Sequence, residues 1–249
     1  GMSRGLGDVY KRQGLDSLNY ACYQDARFML VATPAGITLA PEGGAHQSIS
    51  SPLIGIGQPG LSSYEPAYAD ELAVIMRWAF EYMQAEKGGS IYLRLSTRAI
   101  DQPSREMKPE LENQIIKGAY WHIPPTDGAR IAIVYSGAVV PEVIEAYEQL
   151  KEEIPELGIM AITSYDRLYH DWQRSQVENM EGRNNIDCHI INLLAPLHRN
   201  AILITVQDAH PATLSWLGSA TGRKLLPLGH RIWSVGKYPG FIPPIRNWC

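Results

Sequence analysis

The chain has 249 residues, of which 45% are hydrophobic and 19% are charged, and its formal net charge is −4. This composition is typical of a globular α/β protein, and the slight acidity argues against binding to nucleic acid or to an anionic membrane. No apolar run approaches the roughly 18–20 residues of a membrane span, and the N-terminal region lacks the apolar stretch of a secretory signal. We therefore expect neither a nucleic-acid nor a membrane partner.

Three widely separated cysteines, Cys22, Cys188 and Cys249, show neither metal-ligand spacing nor a disulfide framework. They predict reduced thiols, which are typical of cytoplasmic proteins, and they give no reason to expect a metal site. The cytoplasm is accordingly the predicted location.

Residues 1–13 are polar and aperiodic, and they are interpreted as an added segment that plays no part in the fold. Gly1-Met2 is typical of a tag remnant before a start codon, and residues 7–13 suggest adaptor-derived sequence at the end of a metagenomic read. On this interpretation the natural sequence begins near Gly14, inside a longer gene.

The first structured part is predicted to contain two strands and one long helix. An apolar strand over 27–33 is followed by a Gly- and Pro-rich loop over 34–65, and loops of this length are usually functional. A helix is predicted over 67–86 and a second strand over 90–96. The buried face of the helix is predicted from residues three and four positions apart: Leu72, Ile75, Met76, Ala79 and Met83.

A polar stretch over 99–128 is interpreted as a connection between two domains, and strands and helices alternate after it. Such alternation predicts a mostly parallel sheet with helices on both of its faces, which is a three-layer α/β architecture. The predicted strands are 130–135, 158–163 and 201–206, and the predicted helices are 140–150, 165–180, 187–194 and 210–220.

The long loop carries the most informative residues of the chain, Glu42 and His46, with Gln47 beside them. Imidazole suits proton transfer or oxyanion stabilisation near neutral pH, and Glu42 could orient it from four residues earlier. The alternatives on sequence alone are a histidine that braces a surface loop and a solvated loop carboxylate.

Four other features have mainly structural interpretations. Gly55-x-Gly57-x-x-Gly60 lacks the preceding strand of a dinucleotide site. His210 is interpreted as a helix N-cap and packing residue, with a place at the sheet edge as the alternative. Arg94 and Arg98 suit salt bridges between domains, with contact to a substrate carboxylate as the alternative. Three tryptophans suit core or interface positions: Trp121, Trp172 and Trp216.

The segment Glu42 to Gln47 resembles the E-D-G-x-x-H-Q run of transketolases, and it is closer to the matching loop of homodimeric pyruvate dehydrogenase E1 components. Colinear similarity to these proteins, which use thiamine diphosphate, continues through segments over roughly 15–229. They include Pro66-Ala67-Tyr68-Ala69-Asp70-Glu71, Ile91-Tyr92-Leu93-Arg94 and Ile204-Thr205-Val206-Gln207-Asp208. The sequence departs from the family at Gly43, where an Asp is usual, so the resemblance leaves the hydrogen bonding of the loop undefined.

The resemblance implies roles for three residues and a cofactor for the parent protein. His46 would be catalytic, facing the thiazolium side of thiamine diphosphate, while Glu42 and Gln47 would lie near the cofactor or substrate. The family's Mg²⁺ and diphosphate motif and its activating Glu are expected upstream of this chain. The chain alone is therefore expected to bind neither thiamine diphosphate nor Mg²⁺, to contain no metal ligands and to be inactive.

The C-terminal residues 230–249 lack an amphipathic period, and they are expected to be out of frame. A codon choice that encodes Gly229 to Trp248 gives V-T-E-F-G-Q-S-G-N-I-P-D-L-Y-R when read one base later. That reading resembles the family's own C-terminal segment, with its F-G-Q-S-G run before an L-Y-R helix. A final strand and helix are expected from the corrected frame.

The expected domains are a partial pyrimidine-binding domain over 14–118 and a transketolase C-terminal-like domain over 119–249. The resemblance implies a fragment of an E1 component that decarboxylates a 2-oxo acid, pyruvate in the closest family, and passes the acyl group to lipoyl. The implied partners are a second copy of the chain and a lipoyl-bearing E2. The alternatives are a transketolase fragment and a non-catalytic module that acts through protein contacts.

Overall fold

The computed structural model describes residues 14–37, 47–183 and 187–230. Helices and strands alternate along most of this length. The helices, in chain order, are α1 (Leu15–Tyr23), α2 (Ser51–Gly57), α3 (Ala69–Gln84), α4 (Pro109–Lys117), α5 (Val140–Leu150), α6 (Tyr165–Met180), α7 (His189–Leu194) and α8 (Ala212–Thr221). The strands are β1 (Met29–Ala32), β2 (Leu61–Tyr64), β3 (Ser90–Arg94), β4 (Ala119–Ile123), β5 (Ile131–Ser136), β6 (Gly158–Ile162), β7 (Ile202–Gln207) and β8 (Lys224–Leu228).

The strands form two sheets. β1, β3 and β2 make a three-stranded sheet in that order, and all of its strands are parallel. The second sheet has the order β4-β6-β5-β7-β8, in which only β4 runs antiparallel to its neighbour. Helices flank both sheets, so the predicted mixed α/β architecture is confirmed.

The main hydrophobic cluster lies between the two sheets and holds them together. It joins Ile75 of α3 and Leu93 of β3 to Tyr135 of β5 and Ile159 of β6. The predicted buried face of α3 is confirmed, since Ile75 and Ala79 are fully buried and the other members pack against the same cluster: Leu72, Met76 and Met83. A second cluster covers the opposite face of the larger sheet.

The prediction of an uninterrupted loop over 34–65 was wrong, because α2 and β2 both lie within it. The pattern failed for a physical reason. β2 reads Leu-Ser-Ser-Tyr, and its two buried serines, of which Ser63 bonds to Asp166, leave no apolar signature. Gly55 and Gly57 also weaken α2 as a sequence signal, yet Gly55 lets the helix lie directly against Ser63 of β2.

The prediction that 99–128 only connects two domains was also wrong. The stretch contains α4, which begins at Pro109 and ends at the left-handed Gly118, and then the antiparallel strand β4. Two further elements were not predicted. One is α1, which precedes β1, and the other is β8, which forms an edge of the larger sheet. The expected reading-frame change concerns residues 230–249, and of these only His230 lies within the described residues.

Candidate functional site

The carboxyl ends of the three parallel strands of the smaller sheet meet at one edge. β1 leads through Gly36 and Ile37 into residues 38–46, β2 ends beside Glu65, and β3 ends at Arg94. In open α/β sheets, ligands bind outside the carboxyl ends of the strands, so this edge is the candidate site.

Glu42 and His46 lie outside the described residues, while Gln47, the third predicted site residue, is fully buried at the end of that segment. Along the chain, Glu42 and His46 belong to residues 38–46, which follow β1, and Gln47 comes directly after them. Their individual roles stay predictions.

The base of the 38–46 segment is fastened by contacts on both of its sides. Gly36 and Ser48 form an isolated antiparallel bridge, in which Ser48 N donates to Gly36 O at 2.8 Å. The backbone N of Ile37 donates to the carboxylate of Asp208, at 3.0 Å to Oδ1 and 3.1 Å to Oδ2. Asp208 follows β7 of the larger sheet, so the second half of the chain fixes where this segment begins.

Arg94 lies at the centre of a buried polar network behind this base, and only 2% of its side chain is exposed. Its Nη1 pairs with Glu65 Oε1, and its Nε donates to Ser51 Oγ at 3.0 Å. Its Nη2 donates to Ser48 O at 2.6 Å and to Asp208 O at 2.8 Å. One guanidinium thus joins β2, α2, the end of the 38–46 segment and the turn after β7.

Tyr165, the first residue of α6, completes the coordination of Glu65. Its hydroxyl donates to Glu65 Oε2 at 2.7 Å, so each carboxylate oxygen of Glu65 has a donor. Burial raises the pKa of Glu65, while the charge of Arg94 and the bond from Tyr165 oppose that shift. For Arg94, burial alone would lower the pKa, but the surrounding negative groups, chiefly Glu65, raise it on balance. The guanidinium is therefore a permanent charge, and Glu65 is its counterion.

The prediction of a salt bridge between the two halves is confirmed for Arg98 and wrong for Arg94, whose ion pair is with Glu65 of its own half and which reaches the second half through Asp208 O. Arg98 pairs with Glu142 of α5 at 2.6 Å and donates to Ala138 O at 3.0 Å. Pro211, not His210, is the N-cap residue of α8, but the Nδ1 of His210 accepts from Ala212 N at 3.2 Å at the start of this helix.

The glycine-rich motif and the tryptophans follow their structural interpretations. Gly55 and Gly57 belong to α2, and Gly60 is a left-handed residue just before β2. Trp172 and Trp216 stack on each other with ring centroids 5.6 Å apart, and both pack against the second cluster together with Trp121.

Sequence reasoning missed Glu65, Tyr165 and Asp208 as members of the network. The available signal was position, because each directly follows a strand or opens the helix after one. What the sequence could not supply was the meeting of residues that lie about a hundred positions apart in the chain, such as Glu65 and Tyr165.

The described side chains do not by themselves fit thiamine diphosphate and Mg²⁺. Both oxygens of Glu65 are bonded within the network, and the Asp208 carboxylate accepts from Ile37 N and lies 3.0 Å from His230 Nε2. At this edge, then, neither carboxylate is free to accept from an aminopyrimidine ring. Within the described ranges, no group of three or more His, Cys, Asp or Glu could hold a metal ion.

Comparison with known proteins gives related matches by sequence and by structure. A family model described as the pyruvate dehydrogenase E1 component middle domain matches residues 8–101. This match begins inside residues 1–13, and the origin of those residues stays a prediction. The Escherichia coli K12 pyruvate dehydrogenase E1 component is 29% identical over 217 residues, which cover 83% of this chain and 23% of that protein. The corresponding protein of Mycolicibacterium smegmatis is 31% identical over 165 residues, 64% of this chain and 18% of that protein.

Among solved structures, transketolase from Leishmania mexicana superposes with a TM-score of 0.68 at 16% identity, covering 92% of this chain and 29% of that one. Transketolase from Campylobacter jejuni superposes with a TM-score of 0.65 at 14% identity, covering 92% of this chain and 31% of that one. These likenesses show the fold. The chain spans less than a quarter of the length of the two E1 relatives described above.

Proposed function

We propose that this chain forms one wall of the active site of a pyruvate dehydrogenase E1 component. The premise is that the chain is a relative of these components, within the transketolase-like superfamily of thiamine-diphosphate enzymes. The proposed parent reaction is oxidative decarboxylation of a 2-oxo acid, with pyruvate as first candidate, and transfer of the acyl group to lipoyl. The division into a partial pyrimidine-binding domain over 14–118 and a C-terminal domain over 119–249 is part of the proposal.

The fastening of the 38–46 segment is the observation that carries the proposal. The bridge between Gly36 and Ser48 and the bonds from Ile37 to Asp208 start and end this segment at the carboxyl edge of a parallel sheet. A segment held at both ends can present Glu42 and His46 to a ligand at that edge. In this proposal His46 transfers or stabilises charge on the substrate side, Glu42 orients it, and Gln47 supports it from a buried position.

The isolated chain is proposed to be inactive, because both described carboxylates at the candidate edge, Glu65 and Asp208, are already bonded within the protein. A calorimetric titration with thiamine diphosphate, run with and without Mg²⁺, tests this directly, and no saturable heat that depends on Mg²⁺ is expected. Saturable micromolar binding that requires Mg²⁺ would show that the site is more complete than we propose.

A chimera tests the positive half of the proposal. The aligned 217 residues of the Escherichia coli E1 component would be replaced by the matching segment of this chain. We expect decarboxylation of pyruvate that depends on thiamine diphosphate, and a loss of at least about tenfold with His46→Ala, which is the low end of what general acid–base groups contribute. Lys151→Ala, on the exposed end of α5, is the control and should leave the rate unchanged. A chimera that binds the cofactor and turns over equally with His46→Ala would contradict the role of His46.

The partners and the location of the parent follow from the same relationship and are proposed with it. A second copy of the chain and a lipoyl-bearing E2 would be its partners, and the cytoplasm its location. Cys22 and Cys188 are both unpaired, which suits a reducing compartment. Among the described residues, no helix is long and apolar enough to cross a membrane.

A further inference from the structure

A cavity of about 610 Å³ lies between the two halves of the chain, at the opposite end of β2 from the edge that carries Glu65. One wall is the turn over 58–62 that enters β2, together with Tyr82 of α3. The other wall is one face of α6, the end of α4 at Lys117 and the start of α7. Crevices of this size between packed units are common sites for small molecules.

The three carboxylates that line this cavity all accept hydrogen bonds, and that of Asp187 accepts from Asn192 Nδ2 at 2.5 Å. Asp166 accepts from Ser63 N at 3.0 Å, from Ser63 Oγ at 2.9 Å and from Ser164 Oγ at 2.7 Å. Asp171 accepts from Arg174 Nη2 at 2.6 Å and from the backbone N of His189 at 2.8 Å. Arg174 is in turn neutralised by this contact and by Glu178. Each of these carboxylates therefore has hydrogen-bond donors of its own within the protein.

Three nitrogen-bearing side chains of the lining are different, because their own contacts do not pair them with a carboxylate. Within the described ranges, the side chains of Lys117, Arg167 and His170 make no hydrogen bond and no ion pair, although all three line the cavity. The Nε of Arg167 is buried and has no hydrogen-bond partner. A buried donor without a partner costs free energy, so this guanidinium makes fewer hydrogen bonds within the protein than it could.

Aromatic stacking fixes the direction of the Arg167 guanidinium. Its Cζ lies 4.7 Å from the centroid of the Trp78 ring, and Trp78 stacks on Tyr82 with centroids 4.6 Å apart. A guanidinium held in this way has lost its side-chain freedom before any ligand arrives, which favours binding of an anion with several oxygens. Tyr82 and Leu61 supply apolar surface beside it for the rest of a ligand.

We propose that this cavity binds a small organic phosphate, with the phosphoryl group held by Arg167, Lys117 and His170 and the organic part against Tyr82 and Leu61. The site goes beyond the proposed E1 function, because none of these residues belongs to the network around Arg94. Occupancy would also brace the contact between β2 and α6, so binding would stabilise the junction of the two halves.

Calorimetry on the full chain at constant ionic strength tests the proposal, with inorganic phosphate and phenyl phosphate as probes. Both should bind at one site per chain, and phenyl phosphate should bind more tightly because it also covers apolar surface. Lys117→Ala and Arg167→Gln should each weaken binding by about tenfold or more, as expected for loss of a bond to a charged group. Lys151→Ala removes an equally exposed positive charge far from the cavity and should have no effect.

Three results would overturn the proposal. The first is no saturable binding of either probe, and the second is inorganic phosphate binding with no binding of phenyl phosphate. The third is unchanged affinity in both cavity variants. Because Lys117 is exposed, its variant stays informative even if Arg167→Gln unfolds the protein. Thiamine diphosphate is itself an organic phosphate, so its titration is repeated on Lys117→Ala. Heat that this substitution abolishes belongs to the cavity, and Mg²⁺-dependent heat that survives it contradicts the proposed incompleteness of the cofactor site, so the two proposals fail separately.

Discussion

Arg94 carries a full charge in a place from which water is almost excluded, with four acceptors around it. Taking an ion pair out of water is costly, so such a pair adds little net stability while both partners are present. Removing one partner is different, because it leaves the other as an uncompensated buried charge.

Replacement of Arg94 by Met should lower the free energy of unfolding by about 3–5 kcal/mol, the range for breaking a buried pair. Urea unfolding measures this value. Arg98→Met is the matched control, because its pair with Glu142 is about one-third exposed and should contribute at most about 1 kcal/mol after solvent screening. Equal effects of the two substitutions would contradict the central place of Arg94.

The loss of stability in the Arg94→Met variant should be smaller at low pH than at high pH. Burial raises the pKa of Glu65, and without the guanidinium the main influence that opposes this shift is gone. A carboxyl with a higher pKa in the folded state takes up a proton on folding, so its stabilising effect is present at low pH and is lost as pH rises through the folded pKa. The variant should therefore be less destabilised at pH 5 than at pH 8.

At the scale of elements, periodic segments were predictable and polar ones were not. α3, α5 and α6 have amphipathic faces, and β5 and β6 are apolar runs, so each was found close to its observed bounds. β2 and β4 escaped because their buried polar side chains depend on partners elsewhere in the chain, as with Ser63 and Asp166 or Tyr120 and Glu71.

The candidate site shows the same division. Local pattern predicts a functional role for Glu42, His46 and Gln47, which stays a prediction, and it gave both arginines their salt-bridging interpretation. It could not give the contact between Ile37 and Asp208, which joins positions 171 residues apart. Such contacts follow from the packing of the two sheets, which no single window of sequence contains.

The base of the 38–46 segment gives a prediction about how elements are joined. Gly36 has a φ of +63°, and a Cβ there would lie 1.8 Å from Asp208 Oδ2. Gly36→Ala should therefore cost more than the about 1–2 kcal/mol of the left-handed backbone alone, because the Asp208 carboxylate must also move. Gly128→Ala is the control, since Gly128 has a φ of +81° and nothing within 4 Å of a Cβ. Thermal unfolding of both variants measures the difference. Equal losses of stability would show that the Asp208 side chain can move away at no measurable cost.

At the scale of the whole molecule, the smaller sheet is the part with an uncovered edge. In the described ranges, β1 pairs only with β3, and its Leu30 and Val31 are 38% and 49% exposed on opposite faces. An unpaired strand edge with apolar residues on both faces promotes association with another chain. The edge strand β8 of the larger sheet is less prone to pair with another strand, because Pro227 has no backbone N–H to donate.

We therefore expect the isolated chain to self-associate through β1, and sedimentation velocity across a range of micromolar concentrations should show species larger than the monomer. Leu30→Lys and Val31→Lys should each shift the distribution towards monomer, because a charged side chain on an edge strand opposes pairing with a second strand. Phe80→Lys is the matched control: Phe80 is 52% exposed, but it lies on α3, where no strand edge is available. A monomer at every concentration, or an equal effect of Phe80→Lys, would mean that β1 is not the associating edge.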